Sequence, residues 1–208
     1  MKALIIVDVQ NDFFEGGPLE VPHSNQIIPV INQLVASFNI VIFTKDWHPA
    51  NHKSFASNHK DKNVYDVVEI NSIQQVLWPD HCIQNTFGSG IHQKITIPQD
   101  AYFFTKGSDM EVDSYSGFYD NGKIHSTGLS NFLHKNKISD VYLCGLATEF
   151  CVKFTAIDAV NEKFNTFLIT DATRAVNINS GDFDKAIEEM KSKGVNIVNS
   201  NSIQQMQF

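Results

Sequence analysis

The chain alternates short, nearly unbroken apolar runs, rich in β-branched and aromatic residues, with longer amphipathic segments. The runs are Ala3 to Val7, Asn39 to Thr44, Ala101 to Phe104, Val141 to Leu146, Thr166 to Ala172 and Val195 to Ser200. Strands that are apolar throughout, rather than at every second residue, suit a parallel sheet covered on both faces. The segments Ser24 to Phe38, Thr127 to Lys135, Glu149 to Lys163 and Phe183 to Lys193 read as the connecting helices. The expected fold class is α/β: a three-layer α/β/α sandwich with a mostly parallel sheet of about six strands. No repeat, low-complexity tract or linker divides the 208 residues, so one domain over 1–208 is expected.

Charge narrows the partners. A net charge of -7, with no basic block, speaks against nucleic acid as the main partner. The first apolar run is five residues long, too short for a signal-peptide core or a membrane span, so a cytoplasmic protein without membrane contact is expected. Cys82, Cys144 and Cys151 are sparse, odd in number and lack a C-x-x-C spacing, which favours reduced thiols over a disulfide framework. The stretch Lys45 to Gln99 carries few strand or helix signals but contains five His and both Trp. Irregular segments of that length in a compact domain are usually functional.

Three reactive residues follow or end apolar runs: Asp8, Lys106 and Cys151. Parallel strands share one carboxyl edge, where side chains remote in sequence converge. An acid, an amine and a thiol meeting there form a nucleophilic constellation, because a base or nearby cation favours the thiolate. Thr148 is the expected N-cap of the following helix, which sets Cys151 in the first turn, where free amides favour negative charge. The backbone N–H groups of Cys151 and Ala147 are the candidate oxyanion donors. The alternatives are structural: Cys151 as a small core residue, Asp8 as a turn aspartate, and Lys106 as a surface partner of Asp109 or Glu111. Cys144, inside an apolar strand, reads as core, and Cys82 lacks a local base.

Asp46 and His48 lie two apart at the end of the second run and face the same side of an extended chain. With His81 from a distant loop they make three mixed N/O ligands, a set that leaves positions open on one divalent ion, whether zinc, iron or manganese. Taken alone, D-x-H also reads as ordinary loop residues. His52 reads either as a fourth ligand or as a hydrogen-bond partner of the ligands, and His59 as part of a solvated polar turn.

The segments IIVDVQNDFFEGG, TKDWHPANHKSF, WPDHC, FFTKG, DSYSGF and GLATEFCV, in this order, resemble the nicotinamidase branch of the isochorismatase-like cysteine hydrolases over essentially the whole chain. The resemblance implies a triad of Asp8, Lys106 and Cys151 and a metal on Asp46, His48 and His81, zinc first among the candidates. It also implies a substrate ring near Phe13 and Trp78 and a cis Leu146–Ala147 peptide. The activity implied is hydrolysis of nicotinamide to nicotinate and ammonia through a thioester, in NAD salvage, with pyrazinamide-like analogues accepted. The family includes monomers and assemblies, so a homo-oligomer is open. The alternatives are a cysteine amidohydrolase for another small amide, or a non-catalytic metal- or ligand-binding module on the same scaffold.

Overall fold

Eight strands appear in chain order in the computed structural model, which describes residues 1–204. They are β1 (Lys2–Val7), β2 (Val41–Asp46), β3 (Val67–Ile70), β4 (Ile73–Val76), β5 (Tyr102–Lys106), β6 (Asp140–Leu146), β7 (Asn165–Arg174) and β8 (Asn196–Val198). Residues 205–208, the end of the expected 1–208 span, lie outside the described residues. Six strands form one sheet in the order β5-β2-β1-β6-β7-β8, every pairing parallel. The chain builds outward from β1 to β2 and β5, then returns to the other side of β1 with β6. Strand order therefore reverses between β1 and β6, and a crevice opens at their carboxyl ends.

Each strand of the centre feeds both faces, as the unbroken apolar runs require. In β1, Leu4 and Ile6 pack on one side with Ile27, Ile31 and Leu34 of helix α1 (Ile27–Val35). Ala3, Ile5 and Val7 pack on the other with helices α2 (Leu129–Lys135), α3 (Lys153–Asn161) and α4 (Asp182–Ser192). A short α5 (Ser200–Gln204) joins the α1 layer through Ile203. The spacing Ile27, Ile28, Ile31, Leu34, Val35 puts one apolar stripe on α1. Each aliphatic side chain buried in this way contributes about 1.5–3 kcal/mol. The result is the expected three-layer sandwich.

Three local expectations are corrected. The stretch 45–99 is not wholly irregular: β3 and β4 pair antiparallel around Asn71 and Ser72, whose φ angles of 52° and 63° make a tight hairpin turn. Asn-Ser is a weaker signal for that turn than Asn-Gly, and four-residue strands show little periodicity. Second, the sheet is not covered evenly, because β5 is an edge strand with Tyr102 and Phe103 43% and 48% exposed. Third, Thr148 does not cap a helix. A π-helical turn (Thr148–Val152) precedes α3, Ala147 occupies the cap position without a side-chain bond, and the Thr148 hydroxyl bonds that of Thr173 at 2.7 Å. A buried partner on β7 outcompetes the local backbone for that hydroxyl.

Gly145 of β6 pairs with Val7 of β1. Its φ is 112°, and a Cβ there would stand 2.1 Å from the Val7 carbonyl oxygen. Only glycine allows the two strands this register beside the crevice. The Leu146–Ala147 peptide that follows is cis.

Candidate active site

Four adjacent strands, β5-β2-β1-β6, deliver their ends to the crevice. Register pairs Asp46 directly with Lys106, and Asp8 follows β1 in a left-handed conformation with φ 49°. Cys151 enters from the π-helical turn after β6. All are buried: Asp8 is 0%, Lys106 2% and Cys151 7% exposed, so the surface reading of Lys106 fails. The Lys106 Nζ lies 2.9 Å from Asp8 Oδ2, donates to Asp46 Oδ1 at 2.5 Å and to the Ser114 carbonyl at 2.7 Å, and reaches the Cys151 sulfur at 3.3 Å. Thr44 Oγ1 donates to Asp8 Oδ1 at 2.7 Å. Asp8 Oδ2 keeps no aligned hydrogen bond and is the oxygen left over for a proton.

Burial sets the protonation states and the charges modify them. It pushes the Asp8 carboxyl up to about 6, with Lys106 pulling the other way and Asp46 adding to the rise. Burial likewise holds the Cys151 thiol well above its ordinary range in spite of Lys106, so the resting group is a thiol. Desolvation also disfavours charge on Asp46, but Lys106 and His48 outweigh it and keep that carboxylate ionised. Desolvation of the Lys106 ammonium is likewise outweighed, by Asp46 and Asp8. A base near neutrality beside a protonated nucleophile suits proton transfer in the reacting complex rather than a standing thiolate.

Asp46 belongs to a second cluster. Its Oδ1 is 3.8 Å from His48 Nε2 and its Oδ2 3.8 Å from His81 Nε2, with all three ligand atoms within 4.8 Å of one another. His48 Nδ1 meets the Gly107 carbonyl and His81 Nδ1 the Pro79 carbonyl, each at 2.8 Å. A carbonyl only accepts, so each ring keeps a proton on Nδ1 and aims Nε2 at Asp46, as a lone pair whenever the ring is neutral. Gly107 is required for this contact: at φ 63°, a Cβ there would lie 2.4 Å from the His48 ring. Burial, with His48 adding, pushes His81 down to about 4, so it is neutral as a ligand must be. The donor set therefore fits a divalent ion. Asp8, Asp46 and Cys151 also lie within 4.8 Å of one another, but Lys106 already supplies the cation there.

Between the two clusters lies a narrow pocket of about 30 Å3, lined by Phe13, Trp78, Tyr115, Ala147, Phe150 and Val176. Asp46, His81, Asp113 and Cys151 supply its polar points. Trp78 meets Phe150 edge-on at 4.8 Å and donates its Nε1–H to Tyr115 at 3.2 Å. Phe13 packs on His81 at 5.5 Å. The sequence-predicted Asp8, Lys106, Cys151, Asp46, His48, His81, Phe13, Trp78 and Ala147 thus converge. His52 is buried next to His48, at 4.4 Å between ring centroids, but outside the Asp46 cluster. His59 sits, half-buried, in the exposed polar turn of residues 57–63, its Nε2 on the Lys53 carbonyl at 2.7 Å. Cys82 and Cys144 are buried, with thiols pushed upward by burial.

Sequence reasoning missed several contributors. Gln10 clamps Asp46 from both sides, donating to its carbonyl and accepting from its N–H, each at 2.7 Å. Asp113, Tyr115 and Phe150 line the pocket. Gln10, Asp113, Tyr115 and Phe150 stand in three of the quoted motifs, but nothing local says which way such side chains point.

A thiol, a lysine and an aspartate buried together at the carboxyl edge of a parallel sheet define an α/β protein with a thiol-centred site. Residues 2–202 match the isochorismatase domain, and the chain belongs to the isochorismatase family. A nicotinamidase of Acinetobacter baylyi is 44% identical over 201 residues, covering 97% of this chain and 94% of that protein. The structure of an Acinetobacter baumanii nicotinamidase/pyrazinamidase superposes with a TM-score of 0.94 at 42% identity, covering 97% of each chain. A Pyrococcus horikoshii pyrazinamidase solved in complex with zinc superposes at 0.80 with 36% identity, covering 95% of this chain and 98% of that one.

Proposed function

We propose that this chain is a nicotinamidase: a metal-assisted cysteine amidohydrolase of one domain, acting in the cytoplasm in NAD salvage and accepting pyrazinamide-like analogues. The observation that carries the reading is Asp46, which pairs with Lys106 of the thiol cluster and with both histidines of the ion cluster, so that both clusters border one aromatic pocket. The identity to nicotinamidases and the zinc of the Pyrococcus relative support it.

The residues divide the work as follows. Phe13, Trp78, Tyr115 and Phe150 hold a flat ring and exclude water. Asp8 takes the Cys151 proton as the sulfur attacks the carboxamide carbon, and Lys106 balances the charge on this pair. The backbone N–H groups of Ala147 and Cys151 receive the oxyanion. When the C–N bond breaks, Asp8 returns the proton to the departing nitrogen, which leaves as ammonia, and a thioester remains. Asp8 then accepts a proton from water as its oxygen attacks the thioester; the C–S bond breaks, the acid leaves and the proton returns to sulfur. Asp46, His48 and His81 would hold a divalent ion, which when bound supplies a Lewis acid for the ring nitrogen and so orients the substrate.

The test is ammonia release from nicotinamide, pyrazinamide and a panel of aliphatic amides, with the metal content of each sample measured. Turnover of the two aromatic amides is expected, and it should fall at least about a thousandfold in Cys151→Ala. Chelation should weaken nicotinamide binding, and added zinc should restore it. Near wild-type turnover in Cys151→Ala would refute the triad. Turnover confined to aliphatic amides would refute the substrate.

A further inference from the structure

The three buried histidines beside the pocket differ in what faces their Nδ1 atoms. For His48 and His81 it is a backbone carbonyl. For His52 it is the backbone N–H of Ser54, at 3.1 Å, together with the Ser54 hydroxyl at 2.7 Å. A backbone N–H can only donate, whereas a hydroxyl turns to donate or accept, so the assignment that satisfies both contacts leaves Nδ1 of His52 unprotonated. The neutral ring then carries its proton on Nε2. That atom is buried and makes no well-aligned hydrogen bond among the described residues, the Val112 carbonyl being the backbone acceptor by the ring. An N–H has no lone pair for an ion.

The neighbourhood fits a donor. Ligand atoms of His48, His52 and Asp113 lie within 4.8 Å of one another, a span that one water bridges. Asp113 lines the pocket together with Asp46 and His81, and its oxygens accept from Gln75 and from the Ser114 N–H. Carboxylate oxygens accept more than one bond each, so capacity for a water remains.

We propose that His52 is not a metal ligand but a positioning residue, whose Nε2–H, together with the Asp113 carboxylate, holds a water beside the ion on Asp46, His48 and His81. This rests on the ion site of the proposed function.

Long-range proton–nitrogen NMR of protein labelled with 15N-histidine reads the tautomers, with the His52 signals assigned by their loss in His52→Gln. His52 should be protonated on Nε2 both without metal and with one equivalent of zinc, while the Nε2 signals of His48 and His81 shift on zinc addition. Chelator competition gives a second measure. Zinc affinity should fall by more than about a hundredfold in His81→Ala, by about 10–100-fold in His52→Leu, and by less than about tenfold in His52→Gln, whose amide still donates. Protonation of His52 on Nδ1, a zinc shift at its Nε2, or a loss in His52→Gln equal to that in His81→Ala would overturn the proposal. So would wild-type protein that binds no zinc. Zinc bound with the expected tautomers but no nicotinamide turnover would support it and count against the proposed substrate alone.

Discussion

Replacing Thr44 by valine keeps the shape of the side chain and removes one hydrogen bond, from Oγ1 to Asp8 Oδ1 at 2.7 Å. Thr44 is fully buried, so no water replaces the lost donor. A hydrogen bond to a charged group is worth about 1.5–3 kcal/mol, and about 1.4 kcal/mol corresponds to one pKa unit, so the Asp8 carboxyl should rise by about 1–2 units. Starting from about 6, its titration moves to about 7–8. Asp8 must be ionised to accept the thiol proton, so activity is lost as pH falls through this value. For a rise of about 1.5 units the ionised fraction at pH 6.5 drops from about three quarters to about one tenth, an eightfold loss of roughly that size in kcat/KM, while at pH 9 the two proteins converge. The assay is kcat/KM for nicotinamide from pH 5 to 9, with Thr44→Ser as the control that keeps a hydroxyl and a limb near 6. An acid limb that stays in place in Thr44→Val would refute Asp8 as the titrating base.

Lys106→Met leaves Asp8 and Asp46 buried without their shared cation, a loss that costs about 3–5 kcal/mol for broken buried pairs and is read from urea midpoints. Protonation of Asp8 relieves that cost, so the deficit should be smaller at pH 5 than at pH 8; a deficit independent of pH would count against a carboxylate origin. Gly145→Ala forces a Cβ to within 2.1 Å of the Val7 carbonyl oxygen at φ 112°, and strain plus overpacking should cost about 2–6 kcal/mol. A loss below about 1 kcal/mol would mean that β1 and β6 part easily at the crevice.

Much of this protein is local. Unbroken apolar runs are the mark of strands covered on both faces, so β1, β2 and β6 and their connecting helices could be read one segment at a time. Reactive residues at the ends of such runs share an edge in any parallel sheet, which is why Asp8, Lys106 and Cys151 could be grouped without coordinates. The alternation of D-x-H was enough to pair Asp46 with His48.

What the segments do not carry is their order across the sheet. The arrangement β5-β2-β1-β6 makes Asp46 and Lys106 register partners, and so fuses the thiol cluster with the ion cluster. Protonation was equally out of reach, because the rise of Asp8 to about 6 reflects the dehydration that folding imposes and the charges it brings close. The Thr148 hydroxyl chose Thr173 on β7 over the helix end beside it, and the β3–β4 hairpin formed around a turn with a weak signature. His52 makes the same point at a single atom: its place in the motif suits a ligand or a hydrogen-bond partner of the ligands, and only the Ser54 N–H folded against its ring sets which nitrogen keeps the proton. Sequence determined which elements form and which chemical groups stand at their ends, since both depend on neighbours along the chain. Tertiary structure decided what those groups are next to, how dry they are and which lone pairs are free, since these depend on neighbours through space.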